Sequence, residues 1–191
     1  MKPANAVRES YVGLFGQPSR NASFEVGPYR IEVFKWDAEL THEGVAIYAT
    51  LGASEWTVAG IPETHRHEFF VGLHPARDEM ASPLAALGLY ETREQVALDH
   101  GHTVPLDAPL WPGSAMSHFL ITRQAGLVLE PLSLADGVHV EFLQAVPLFL
   151  SEFEFKREHG VEALLSLWKS LGTPFWDPDR EPSVLSIPSG R

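Results

Sequence analysis

Cysteine is absent from the 191-residue chain. That absence excludes a disulfide framework, a cysteine-ligated zinc site and a cysteine nucleophile together. Positive charge is scarce as well: 14 Lys and Arg stand against 25 Asp and Glu, a formal net charge of −11 with the nine histidines neutral. Nucleic-acid binding draws on counterion release by clustered Lys and Arg, and here those residues are scattered singly or in pairs. No nucleic-acid partner is expected, and an acidic protein suits a basic protein partner instead. Long apolar runs are also missing. No stretch approaches the roughly 20 residues of a membrane span, and the opening MKPANAVRES lacks the apolar core of a signal peptide. The expected location is cytoplasmic, without membrane contact.

What the chain does have is apolar bulk. Hydrophobic residues make up 45%, with five Trp and eleven Phe, enough for one ordinary domain to bury a core without cross-links or metals. Val7, Tyr11, Leu14 and Phe15 fall at helical spacing before the stop signal Gly16 and Pro18. Strands are predicted over 29–36 and 45–51, joined by a hairpin connection at Thr41 to Gly44, and over 66–74, which should pair with the previous two. Ser82-Pro83 starts a helix, yet Gly88 and a second capping-box spacing at Thr92 and Gln95 make two short helices as acceptable as one.

Residues 99–115 are dense in Gly and Pro and predict a loop with one short strand. Further strands follow over 116–122 and 138–146, with a third candidate around 127–132. Ser151 with Glu154 three residues on predicts a helix cap, and Val161, Leu164, Leu165, Trp168 and Leu171 form one apolar face before Gly172 and Pro174. The expected fold is therefore α+β, a mostly antiparallel sheet with helices packed on it, over residues 1–172, followed by a Pro-rich tail, 173–191.

Four kinds of chemistry are testable against the residues. His65-Arg66-His67 and His100-Gly101-His102 have the H-x-H spacing that places two imidazoles on one strand face. A metal there needs a third ligand, with Glu68, His74 or His118 as candidates. Gly52-Ala53-Ser54-Glu55-Trp56 starts like a nucleophile elbow, but Trp56 stands where the sharp turn needs glycine. No phosphate-cradling glycine motif is present. Of the paired carboxylates, Glu152 and Glu154 are better explained by helix capping, and Asp177 and Asp179 lie in the tail. No catalytic residue is assigned, and no cofactor or metal. Trp56 and Trp111 fall in predicted loops, and Trp56 beside Glu55 has the make-up of a protein-binding hot spot.

Several segments together resemble the suppressor of fused domain family, in particular its bacterial single-domain members. They are Leu14-Phe15-Gly16-Gln17-Pro18, the strand 31–36, Tyr48-Ala49-Thr50-Leu51-Gly52-Ala53-Ser54-Glu55, Arg66-His67-Glu68-Phe69-Phe70-Val71, Gly101-His102-Thr103-Val104, Pro112-Gly113-Ser114, the strand 140–150, the helix 160–171 and Asp177-Pro178-Asp179-Arg180. In the family the third of these segments ends in Gly, an apolar residue, Ser and Asp. Here Glu55 replaces the Asp, keeping the charge on a longer arm. The resemblance implies a suppressor-of-fused-like fold and a non-enzymatic protein-binding role, with Ser54 and Glu55 carried over as cleft residues. For bacterial members it implies an immunity protein that neutralises a cognate toxin, a basic one by the charge reading. Ser54, Glu55, Trp56 and Glu68 are the expected partner-binding residues. The alternatives are a regulatory module clasping a short peptide, and a metal-dependent enzyme built on His65, His67, His100 and His102.

Overall fold

A computed structural model describes residues 2–124 and 128–185. Its elements are α1 (Pro3–Phe15), β1 (Arg20–Val26), β2 (Tyr29–Trp36), α2 (Ala38–Thr41), β3 (Ala46–Leu51), β4 (His65–Leu73), α3 (Ala81–Glu94), β5 (Thr103–Pro105), β6 (Met116–Thr122), β7 (Leu132–Ser133), β8 (His139–Phe149), α4 (Leu150–His159) and α5 (Val161–Leu171). They build one eight-stranded sheet in the order β1-β2-β3-β4-β8-β6-β5, with β7 pairing the start of β8. Every pairing is antiparallel except β4 with β8. The α+β expectation of helices on a mostly antiparallel sheet is met.

Both faces of the sheet are covered. Ile31, Val33, Tyr48, Phe69, Val71 and Leu73 project to one side and meet Leu84, Ala85 and Leu87 of α3. Phe34, Trp36, Ile47, Ala49 and Phe70 project to the other and meet Val7, Tyr11 and Phe15 of α1. Further along that second side, Leu120, Val146 and Leu148 pack on Leu164 and Trp168 of α5. Strict alternation of apolar and polar residues is lost in such a sheet, because both sets of side chains are buried.

Four local expectations are corrected. No strand is predicted over 20–26, yet the segment forms β1, an exposed edge paired with β2 through the two-residue Gly27-Pro28 turn. Thr41 to Gly44 is not a plain hairpin connection: α2 precedes it, and Thr41 Oγ1 ties the bend by donating to Val45 O at 2.7 Å. Of the two preceding strands only β3 pairs with β4, whose other neighbour is the distant parallel strand β8. A parallel pair needs a long crossover, and α3, β5 and β6 supply it.

The fourth concerns helices. α3 runs unbroken through Gly88, where a Cβ would sit 2.2 Å from Ile31 Cδ1 and 3.0 Å from Thr50 Cγ2. Glycine there serves the helix–sheet approach, not a break. α4 begins two residues earlier than the Ser151 cap predicts, with Phe149 at the cap position. Glu152, not Glu154, accepts the back-bond from Phe149 N at 3.2 Å, and the Ser151 hydroxyl donates to Val184 O at 2.6 Å. One strand candidate begins at residue 127, outside the described residues; the strand found nearby is β7.

Residues 173–185 lie against the domain. Arg180 is buried and donates twice to Glu152, at 2.7 and 2.8 Å, and to Pro147 O at 3.1 Å. Trp168 Nε1 and Ser183 N complete the acceptor shell of Glu152. Removing one member of such a pair leaves a buried charge uncompensated. Arg180→Ala is therefore expected to lower stability by about 3–5 kcal/mol in urea unfolding, whereas exchanges at exposed Glu181 should be near neutral.

Candidate functional site

The sheet brings the four sequence-predicted residues to one place. β3 ends at Leu51 and the chain turns sharply at Gly52, whose φ of 116° disfavours any side chain. A Cβ at this position would also lie 3.0 Å from the Arg30 carbonyl oxygen. A single 3₁₀ turn over Ala53–Glu55 follows. Under it lies Glu68, from the neighbouring strand β4, with 0% exposure.

The turn and the carboxylate fit each other bond for bond. Glu68 Oε1 accepts from Gly52 N at 2.9 Å, Ser54 N at 3.1 Å and Ser54 Oγ at 2.7 Å. Glu68 Oε2 accepts from Thr50 Oγ1 at 2.6 Å, and that hydroxyl in turn accepts from Phe69 N at 2.9 Å. Burial holds the Glu68 carboxyl above the ordinary glutamate range, and the donors from Thr50, Ser54 and Gly52 offset only part of that rise. Ser54 is equally buried. These two residues shape the loop from beneath and present no surface to a partner.

Glu55 and Trp56 are the pair that reaches solvent. Glu55 Oε1 accepts from Ala4 N at 2.9 Å, in the first turn of α1, where a carboxylate meets unpaired amides and the positive end of the helix dipole. The Trp56 ring packs edge-on against Tyr29 at 4.9 Å. Both line an open groove of about 470 Å³ whose other walls include Lys2, Arg8, Arg30 and Glu32. Its charge is mixed: Arg8 and Arg30 lie 3.1 and 3.3 Å from Glu32, and Lys2 lies 3.9 Å from Glu55. The strong acidity of the chain is thus a property of the whole surface more than of this groove.

The two H-x-H motifs separate. His65 and His67 lie side by side on β4 with Glu141 of β8. His100 faces Glu162 at 3.2 Å, and His102 Nδ1 accepts from Asp99 N at 3.1 Å, in a different part of the molecule. None of the third ligands considered joins His65 and His67. Glu68 points to the opposite sheet face, His74 hydrogen-bonds Trp176 O through its backbone, and His118 stacks on Phe153. Glu141 and Glu91, which sequence reasoning missed, are the carboxylates at that cluster. Trp111 is buried.

The sequence profile described as suppressor of fused protein matches residues 27–181. No curated protein matches. Among solved structures, a protein described as a suppressor of fused homologue from Neisseria gonorrhoeae is similar with a TM-score of 0.70 at 21% identity, over 96% of this chain and 98% of that one. A chain of a Sufu–Fu complex gives 0.67 at 16% identity, over 93% and 90%. Suppressor of Fused from Drosophila gives 0.66 at 17% identity, over 93% of this chain but 49% of that chain.

The geometry makes Glu68 testable. A glutamine can keep its oxygen toward Gly52 and Ser54 and donate to Thr50 Oγ1, so Glu68→Gln should cost about 1 kcal/mol. Glu68→Ala strands four buried donors and should cost about 3 kcal/mol or more. Because its folded pKa is raised, Glu68 binds a proton more tightly in the folded than in the unfolded chain. Its contribution to stability therefore falls as pH rises from the ordinary carboxylate range toward the folded value. Urea unfolding across that range should show this slope reduced in Glu68→Gln.

Proposed function

The chain belongs to the suppressor of fused family, and we propose that it works by binding another protein, with Glu55 and Trp56 as the contact pair and Ser54 and Glu68 as their support. The observation that carries this reading is the buried Glu68 carboxylate, which holds the Gly52–Ser54 turn rigid and so fixes Glu55 and Trp56 at an open groove. An acid and a tryptophan on a preorganised turn lose little entropy on docking, which is what a hot spot requires. Partner binding is also the state in which one structural relative, the Sufu–Fu complex, was solved.

The partner we propose is a basic toxin, which this chain neutralises as an immunity protein in the cytoplasm. A net charge of −11 supports this choice, since it raises the encounter rate with a basic protein and repels acidic ones. A second reading is favoured by one observation. β1 is an exposed edge that pairs only with β2 among the described residues, and such an edge can take up an extended peptide by strand addition.

The test is co-purification from lysate of the source organism with the wild type, Glu55→Arg and Trp56→Ala. A stoichiometric basic protein should be retained by the wild type and weakened in both variants, by about 2–5 kcal/mol for Glu55→Arg if the charge is buried against its partner. Retention of the partner by both variants would move the interface elsewhere. Binding of an isolated partner peptide would favour strand addition over docking of a folded toxin.

A further inference from the structure

β4 and β8 run parallel with His65 opposite His139 and His67 opposite Glu141. Side chains alternate along a strand, so these four residues share one sheet face. It is the α3 face, and further along the same rows stand Phe69, Val71, Leu143 and Ala145, all in the core. Two apolar rows thus begin with three imidazoles and a carboxylate. Nothing in hydrophobic packing calls for that substitution.

The donor atoms converge. One ligand atom each of His65, His67 and Glu141 lies within 4.8 Å of the others. His65 Nε2 is 3.4 Å from Glu141 Oε2. Zinc–ligand bonds of about 2.0–2.1 Å in a tetrahedron give ligand–ligand edges of about 3.3–3.4 Å, so this spacing already matches. His67 is oriented from behind: its Nδ1 is 2.8 Å from Glu91 Oε1, and Glu91 is itself fixed by Leu98 N at 2.5 Å. A carboxylate on one imidazole nitrogen sets the tautomer that leaves the other nitrogen's lone pair for a metal. Among the described residues neither Glu91 nor Glu141 pairs with a Lys or Arg, and the only ionisable partner of each is an imidazole.

We propose that His65, His67 and Glu141 bind one divalent transition-metal ion of the zinc class, with Glu91 positioning His67. Two imidazoles and one carboxylate, with no thiolate, suit such an ion better than calcium or magnesium. His67 is 5% exposed, while the side chains of His65 and Glu141 are 34% and 28% exposed. The site is therefore anchored on the buried side, and its fourth position opens to solvent. His139, stacked on His65 at 5.5 Å, closes one flank.

The experiment uses full-length protein purified without a His tag, stripped with chelator and titrated with zinc alone by calorimetry, then with cobalt followed by visible absorption. One ion per chain is expected, with a cobalt spectrum of low-coordinate nitrogen and oxygen ligation. His65→Ala and Glu141→Ala, both at partly exposed positions and checked for folding by urea unfolding, should each weaken zinc by more than about 100-fold. A His100→Ala/His102→Ala double variant should bind as the wild type does. Failure of the wild type to bind stoichiometrically overturns the proposal and leaves an ion-paired cluster. So does wild-type affinity in both ligand variants, or loss of binding in the His100/His102 control, which would place the ion elsewhere.

Discussion

A carboxylate inside a protein must be met by donors from every direction it faces, and the candidate site follows from how this chain meets that demand at Glu68. Desolvating the charge is unfavourable, and no Lys or Arg among the described residues compensates it. Four hydrogen bonds from neutral groups offset part of that cost instead, three of them from the single turn Gly52–Ser54. Such bonds are directional, so the carboxylate dictates where the turn lies to within hydrogen-bond tolerance. The next two residues, Glu55 and Trp56, inherit that position. The rigidity of the groove is thus built from β4 outward, not from the groove's own weak surface ion pairs.

The same device recurs at two other buried glutamates. Glu91 accepts from Leu98 N at the exit of α3, and Glu152 gathers Phe149, Trp168, Arg180 and Ser183. Each carboxylate fastens an irregular segment that apolar packing could not hold in one conformation. Hydrophobic burial decides which helix covers which sheet face, since it is non-directional and scales with area. The buried acids decide how the chain travels between those elements. Only Glu152 is neutralised by a full cation, and its pairing with Arg180 carries the chain beyond α5 back onto the sheet.

How much of this was legible depended on the range of the interaction. β2, β3, α1 and α5 follow from local periodicity, and the resemblance that named the family rests on segments whose order is itself local information. β1 was missed because its alternation of Ala22, Phe24 and Val26 with polar residues is short and faint, and at this exposed edge only Ala22 and Phe24 are even half-buried. Gly88 suggested a break because the sequence does not show Ile31 and Thr50 lying across from it. Ser151 looked like a cap because its true acceptor, Val184 O, lies 33 residues further on. Ser54, Glu55, Trp56 and Glu68 could be named from the sequence, yet not that two of them are wholly covered and two are not. That division follows from both faces of the sheet being buried, which no single strand reveals. Glu141 was invisible for a related reason, since its meeting with His65 and His67 is created by the one parallel register in the sheet.

Strand geometry also explains why one short run, His65 to Glu68, carries so much of the chemistry. With a period of two, His65 and His67 project to the α3 face and Glu68 to the α1 face. β4 lies between β3 and β8, so each of those side chains meets a neighbouring strand as well as a helix layer. An edge strand could not do this, because its polar side chains would find water on one flank and need no partner. A central strand with polar residues on both faces forces a partner for each, and the partners come from far along the chain: Ser54 and Thr50 on one side, Glu91 and Glu141 on the other. The proposed protein-binding turn and the proposed metal site are therefore two outcomes of one constraint. Both arise where polar groups on β4 had to be satisfied inside a two-sided core.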